Sequence, residues 1–245
     1  MRQIIRMFKD GNVCVCGERG TGKDMLFANV IARRNKPYIS NCDYTPKSKK
    51  SKATREALVF KDLDMNGNTY KNLIDGNIKK WVYPYKHGAD LYITDVGVYL
   101  PSQFCNELNR DYKGIPQFMG LSRQIGLGTN THINTQSLNR CYDKIREQSR
   151  RYISCQRCKV LKLPFNQQLV FQRVRIYEKY QSCLDNVPPL RIPLYMMFGS
   201  DVMRVRLYKL NYQIQHGKIR EKRLVYLNKS NYDTNIFKHM FEKGA

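Results

Sequence analysis

The apolar positions first follow a strand pattern and then a helical one. Asn12-Val13-Cys14-Val15-Cys16 is a short run of strand-favouring residues that leads directly into Gly17-Glu18-Arg19-Gly20-Thr21-Gly22-Lys23-Asp24. Beyond the glycines, Met25, Leu26, Phe27, Val30 and Ile31 recur at helical spacing as far as Arg33-Arg34, and Pro37 stops the helix. The order is strand, glycine-rich turn, helix. Tyr38-Ile39-Ser40 predicts a second strand, with a short one from Ala57. Leu91-Tyr92-Ile93-Thr94-Asp95 is a near-continuous apolar strand ending in an acid, and residues 129–135 predict another. Pro101 fits the first turn of a helix running to about residue 110. Residues 70–81 and 114–126 read as helical. The segment 138–149, carrying Leu138, Cys141, Tyr142 and Ile145, predicts an amphipathic helix, and 152–161 a strand.

Strands alternating with helices at this spacing predict a mainly parallel α/β core. The texture then changes. Residues 168–177, 202–212 and 222–227 read as strands, with a turn at His216-Gly217 and a closing helix over 234–242. We therefore divide the chain into a core over 1–165 and a β-rich C-terminal extension over 166–245. Within the core, residues 45–56 (TPKSKKSKATRE) are polar and lysine-rich and read as a mobile basic insertion.

Charge adds a partner. The 245 residues hold 43 Lys+Arg against 20 Asp+Glu, a net charge of +23. With 42% apolar residues and 17 Tyr, this is no disordered polycation. The excess points to a polyanion, nucleic acid first and an anionic membrane surface second. Basic residues are densest over 47–55, 140–162 and 204–223, with tyrosines interleaved. No stretch approaches the ~18 apolar residues that span a bilayer. The expectation is a cytoplasmic protein, at most peripheral to a membrane, with its eight cysteines reduced. Cys155 and Cys158 lie three apart on a strand, facing opposite sides, which makes a shared zinc ion awkward.

The glycine-rich turn carries the chemistry. Gly17-x-x-x-x-Gly22-Lys23 fits a phosphate-binding loop. Glycines let backbone N–H groups converge on a phosphate, the helix N-terminus adds partial positive charge, and Lys23 reaches the β- and γ-oxygens. Residues Gly17, Glu18, Arg19, Gly20, Thr21, Gly22, Lys23, Asp24 and Met25 are the candidate nucleotide-binding set. Asp24 stands where a Mg²⁺-binding Ser or Thr is usual; it is a candidate metal ligand or an N-terminal helix acid. Asp95 is a second candidate metal ligand, at the carboxyl end of its strand. Val96 follows it where many ATPases place a water-activating Glu, and Glu107 is a substitute by sequence proximity alone. Gln136, after the strand 129–135, is a candidate sensor of the γ-phosphate. Arg123 and Arg146 are candidates for an arginine supplied by a neighbouring subunit.

With these residues in place, the chain resembles the zonular occludens toxin-like family of phage assembly ATPases, P-loop NTPases of the FtsK/HerA type. The resemblance covers about residues 10–165. It rests on GERGTGKD at 17–24, LYITDVGVYLPS at 91–102 and SRQIGLGTNTHINTQSLNRCYDKIR at 122–146. It implies an ATP- and Mg²⁺-dependent motor that packages or extrudes viral single-stranded DNA in the host cytoplasm. Such a motor works as a homo-oligomer, a ring, with a peripheral membrane or assembly-complex partner. Lys23 would bind phosphates, Asp95 the metal, and Gln136 would sense the γ-phosphate. The family often carries a transmembrane helix after the ATPase domain; no such segment is expected here. Two other readings stand beside it. One is a nucleotide or nucleoside monophosphate kinase, some of which share the Gly-Lys-Asp loop. The other is a non-hydrolysing, nucleotide-stabilised DNA-binding scaffold, which the missing Glu at 96 favours.

Overall fold

Four consecutive buried residues, Val13–Cys16, form β1 near the centre of the sheet. Burial on both faces is the signature of a parallel strand covered by helices on either side. A computed structural model describes residues 1–34, 36, 38–40, 42, 44, 57–59, 90–99, 130–164, 168–188 and 217–227. Helix α1 (Arg2–Asp10) precedes β1, and α2 (Lys23–Arg34) follows it. The next strands are β2 (Tyr38–Ser40), β3 (Ala57–Val59) and β4 (Asp90–Ile93). A single turn, α3 (Val96–Tyr99), leads on to β5 (Thr131–Thr135). A 3-10 turn (Leu138–Arg140) and α4 (Asp143–Glu147) connect β5 to β6 (Arg151–Lys162). Then come β7 (Gln168–Tyr177), α5 (Tyr180–Leu184) and β8 (Arg220–Leu227).

Among the described residues these strands make one sheet in the order β3-β2-β4-β5-β1-β6-β7-β8. Every pairing from β3 through β6 is parallel, and β7 and β8 add on antiparallel. Two strands read in the C-terminal part, 168–177 and 222–227, thus continue the sheet of the nucleotide-loop half. The segments 45–56, 70–81, 101–110, 114–126, 202–212 and 234–242 lie outside the described residues.

Alternation along β1 divides its side chains between two layers. Val13 and Val15 join a cluster with Ile4 and Phe8 of α1, and with Leu26, Phe27, Val30 and Ile31 of α2. Phe8 packs edge-on to Phe27 at 6.0 Å and stacks near Tyr92 at 6.4 Å. On the other side, Cys16 Sγ meets Cys183 Sγ of α5 at 3.5 Å. None of the described cysteines is in a disulfide.

Two local readings change. The amphipathic helix expected over 138–149 is broken into the 3-10 turn and α4, because Cys141 and Tyr142 between them take extended backbone (Cys141 φ −86°, ψ 140°; Tyr142 φ −52°, ψ 128°). Leu138, Cys141, Tyr142 and Ile145 are buried nonetheless, so their burial does not require one continuous helix. Helix α1 lies outside the elements expected from sequence, although Ile4 and Phe8 sit one turn apart on its buried face.

Candidate functional site

The loop after β1 is shaped from beneath by β6 and β7. At Gly17 a Cβ would lie 2.6 Å from the Cys155 carbonyl oxygen and 2.8 Å from Thr21 Oγ1, so no side chain fits. Gly22 has φ +81°, and a Cβ there would lie 2.8 Å from Cys158 Sγ. The Cys158 thiol and the Gln172 amide both donate to the Thr21 carbonyl oxygen. The β6–β7 register shifts between Cys155 and Cys158, which departs from the simple alternation expected there. Both cysteines end up against the loop. Thr21 closes the loop on itself, its N–H and Oγ1 both donating to the Glu18 carbonyl oxygen at 3.3 and 2.8 Å.

Lys23 is buried, 6% exposed, and its Nζ donates to the carbonyl oxygens of Gly17 (2.9 Å) and Glu18 (3.0 Å). The ammonium therefore sits inside the curl of the loop, over its own main chain. Helix α2 starts at this residue, and its first intrahelical bond from the loop runs from Leu26 N–H to the Gly22 carbonyl oxygen at 2.9 Å. The N–H groups of the first turn have no intrahelical acceptor and carry the positive end of the helix dipole. Glu18, Arg19 and Gly20 are exposed at the loop's tip, and Met25 packs against the core.

Asp24 and Asp95 come together through Asn134. The Asn134 amide donates to Asp24 Oδ1 at 2.7 Å, and the Asp95 N–H donates to Asn134 Oδ1 at 2.7 Å. Tyr44 Oη also donates to Asp24 Oδ1 at 3.4 Å and is hydrogen-bonded to Thr94 Oγ1. Burial holds the Asp24 carboxyl above the usual carboxylate range; the Asn134 bond opposes this, and the Asp95 charge adds to it. Asp95 itself leaves β4 with φ 51°, a left-handed conformation that turns the chain toward Asn134. Asp24 and Asp95 offer a pair of hard oxygen donors, the chemistry a Mg²⁺ ion would suit. Among the described residues no three His, Cys, Asp or Glu side chains cluster as metal ligands. An ion held here would draw its remaining ligands from phosphate and water.

The other candidates are distributed as follows. Thr135 ends β5 in register with Cys16, so the exposed Gln136 leaves the sheet beside the start of the loop. Arg146 Nη1 donates to the Leu138 carbonyl oxygen at 3.1 Å, and its guanidinium lies over the Tyr180 ring at 4.9 Å. Val96 is fully buried, so the position after Asp95 serves the core. Arg123 and Glu107 lie outside the described residues. Asn134, Tyr44, Cys158 and Gln172 were not singled out from sequence. Asn134 lies inside the quoted THINTQ segment, and a polar residue in a fully buried strand must find a hydrogen-bond partner; that was the available signal.

No protein-family model and no curated protein matches the chain. Among solved structures, the chain is similar to the genome packaging NTPase B204 from Sulfolobus turreted icosahedral virus 2 in complex with AMPPCP. The identity is 15%, over 69% of this chain and 93% of that one, with a TM-score of 0.45. It is also similar to the N-terminal domain of zonular occludens toxin from Neisseria meningitidis, at 13% identity over 91% and 97% of the two chains, TM-score 0.44. A third is the flagellar accessory protein FlaH from Methanocaldococcus jannaschii, at 10% identity over 67% and 77%, TM-score 0.39. By its own sheet order, its flanking helices and the loop at the carboxyl end of β1, the chain has the α/β fold of a P-loop NTPase.

Proposed function

We propose that this chain binds ATP on the loop from Gly17 to Met25 and hydrolyses it to drive viral single-stranded DNA packaging or extrusion, as one subunit of a homo-oligomeric ring in the host cytoplasm. The observation that carries the reading is Lys23, buried inside the loop with its ammonium on the Gly17 and Glu18 carbonyl oxygens. A phosphate entering the curl takes over that ammonium from the two carbonyls. It also meets the N–H groups at the start of α2.

Asp24 and Asp95 would hold Mg²⁺, which when bound neutralises phosphate charge. Asn134 sets the spacing of the two acids, and Tyr44 steadies Asp24 from the side. Gln136, at the end of β5, orients water toward the γ-phosphate. Arg123 takes the part of the arginine supplied in trans, since Arg146 is already engaged with Leu138 and Tyr180 in its own chain. The net charge of +23 supports a nucleic-acid partner. Among the described residues no helix is long and apolar enough to cross a membrane.

One observation favours a second reading, a nucleotide-bound scaffold that does not turn over. The buried Val96 leaves no carboxylate directly after Asp95 to activate water. ATP hydrolysis by wild type and Lys23→Ala, with and without single-stranded DNA at fixed salt, separates the two. DNA-stimulated turnover abolished by the substitution supports the motor. Tight ATP binding without turnover favours the scaffold, and unchanged nucleotide affinity in Lys23→Ala overturns the site.

A further inference from the structure

A cleft of about 260 Å³ opens at the end of the sheet away from the Gly17 loop. Asp10, just before β1, lines it, together with Arg150 and Arg151 where β6 begins, and Val13 of β1 pairs with Arg151. β1 is four residues long, so the cleft lies at least about 13 Å from the loop. Its other cations are Arg6 from α1, Lys218 just before β8 and Arg220 at its start. The cleft thus draws cations from α1, β6 and β8, which are far apart in sequence.

The acids there do not neutralise it. Glu178 is engaged by Arg151 at 3.8 Å and accepts the Lys218 main-chain N–H at 3.4 Å. Arg150 donates to the Asp10 main-chain carbonyl oxygen at 3.0 Å. Among the described residues no acid forms an ion pair with Arg6, Lys218 or Arg220, and all three are exposed. Like charges gathered in a concave, low-dielectric wall focus a positive potential into it. Holding them together costs repulsion, which an anion relieves.

We propose that this cleft is a binding site for the phosphodiester backbone of a nucleic acid, separate from the nucleotide loop. The proposal rests on the nucleic-acid partner of the reading above and not on ATP turnover. Among the described residues the cleft's lining holds no aromatic side chain, so these residues grip phosphate by charge and do not stack bases. A membrane surface fits it less well. Exposed apolar side chains beside the cations strengthen docking on a membrane surface. Among the described residues the exposed large apolar side chains are Val160 and Leu161, about 30 Å along β6 from Arg151.

The test is fluorescence anisotropy of labelled oligo-dT with the whole chain, without nucleotide, across a salt series. Wild type is compared with Arg6→Gln/Lys218→Gln and with Arg220→Gln alone. The double variant should bind roughly tenfold more weakly near 0.1 M salt. The slope of log K against log salt should fall by about 1.4, or about 0.7 per lost contact, and by about 0.7 for Arg220→Gln. Both variants should keep their affinity for a fluorescent ATP analogue, which verifies the fold. Wild-type binding with unchanged affinity and slope in both variants would overturn the cleft and leave the motor reading intact. No oligo-dT binding by wild type would overturn the nucleic-acid partner as well. Loss of binding to phosphatidylserine vesicles, with oligo-dT binding retained, would assign the cleft to a membrane and overturn the proposal.

Discussion

Asn134 donates its amide to Asp24 Oδ1 at 2.7 Å while its own side-chain oxygen accepts the Asp95 N–H at 2.7 Å. One side chain therefore sets the geometry of both acids, one from the loop helix and one from the neighbouring strand end. Asn134→Ala leaves the Asp95 N–H without this acceptor and takes one donor from a largely buried carboxylate. Each unpaired buried group costs about 1–3 kcal/mol. Urea unfolding should show that loss, and the Asp24 carboxyl, without the bond that lowers its proton affinity, should titrate at higher pH by NMR.

Removing the Lys23 ammonium should weaken nucleotide binding. Hydrogen bonds to a charged group contribute about 1.5–3 kcal/mol each, so Lys23→Ala should bind a fluorescent ATP analogue roughly 10- to 150-fold more weakly. Titration of the analogue against wild type checks this.

Gly22 and Gly17 should respond differently to a Cβ and to its relief. Gly22→Ala is strained by its left-handed backbone, about 1–2 kcal/mol, and also meets the Cys158 thiol at 2.8 Å. Adding Cys158→Ala should recover part of the lost thermal stability. At Gly17 the closest obstacle is the Cys155 main-chain oxygen at 2.6 Å. Cys155→Ala should therefore leave Gly17→Ala as unstable as before.

At the other end of β4, Arg34 Nη2 lies 2.6 Å from Asp90 Oδ2, with Lys36 Nζ 3.1 Å from the other oxygen. Asp90 is 1% exposed, and removing one partner of a buried pair strands a charge. Arg34→Met should destabilise by about 3–5 kcal/mol, and the double change Arg34→Met/Asp90→Leu by clearly less than the sum of the singles. A double-mutant cycle in urea measures it.

His132 packs against Phe8 and Tyr92, with ring centroids at 4.7 and 4.8 Å, and its Nε2 lies 3.4 Å from Arg34 Nη1. Burial first, then the Arg34 and Lys36 charges, hold its pKa well below the ordinary value. Below about pH 6.5 the unfolded chain takes up a proton that the folded chain refuses, so stability falls with pH in that window. Unfolding free energies at pH 7.5 and 5.5 should differ more for wild type than for His132→Gln, by at most about 1.4 kcal/mol per pH unit.

Short-range features of the fold were legible. Val13–Cys16 and Lys23–Arg34 read as strand and helix because the strand period, the glycine turn and the helical spacing each occupy a few consecutive residues. The segment 138–149 misled because four apolar residues at near-helical spacing also suit a kinked segment lying on a sheet. There Cys141 and Tyr142 are extended and still buried.

The sequence by itself determined the strand, the glycine-rich turn and the helix that follows it, since the spacing of Gly17, Gly22 and Lys23 is a local property of one chain segment. Only the tertiary structure decided what supports them. Cys155, Cys158 and Gln172 reach the loop from strands more than 130 residues on. Asn134 joins Asp24 to Asp95 because β5 lies between β1 and β4. The cations of the basic cleft meet because β6, β7 and β8 continue the same sheet. Such contacts depend on strand order and register, which join segments far apart in the chain, and no local window of residues encodes them.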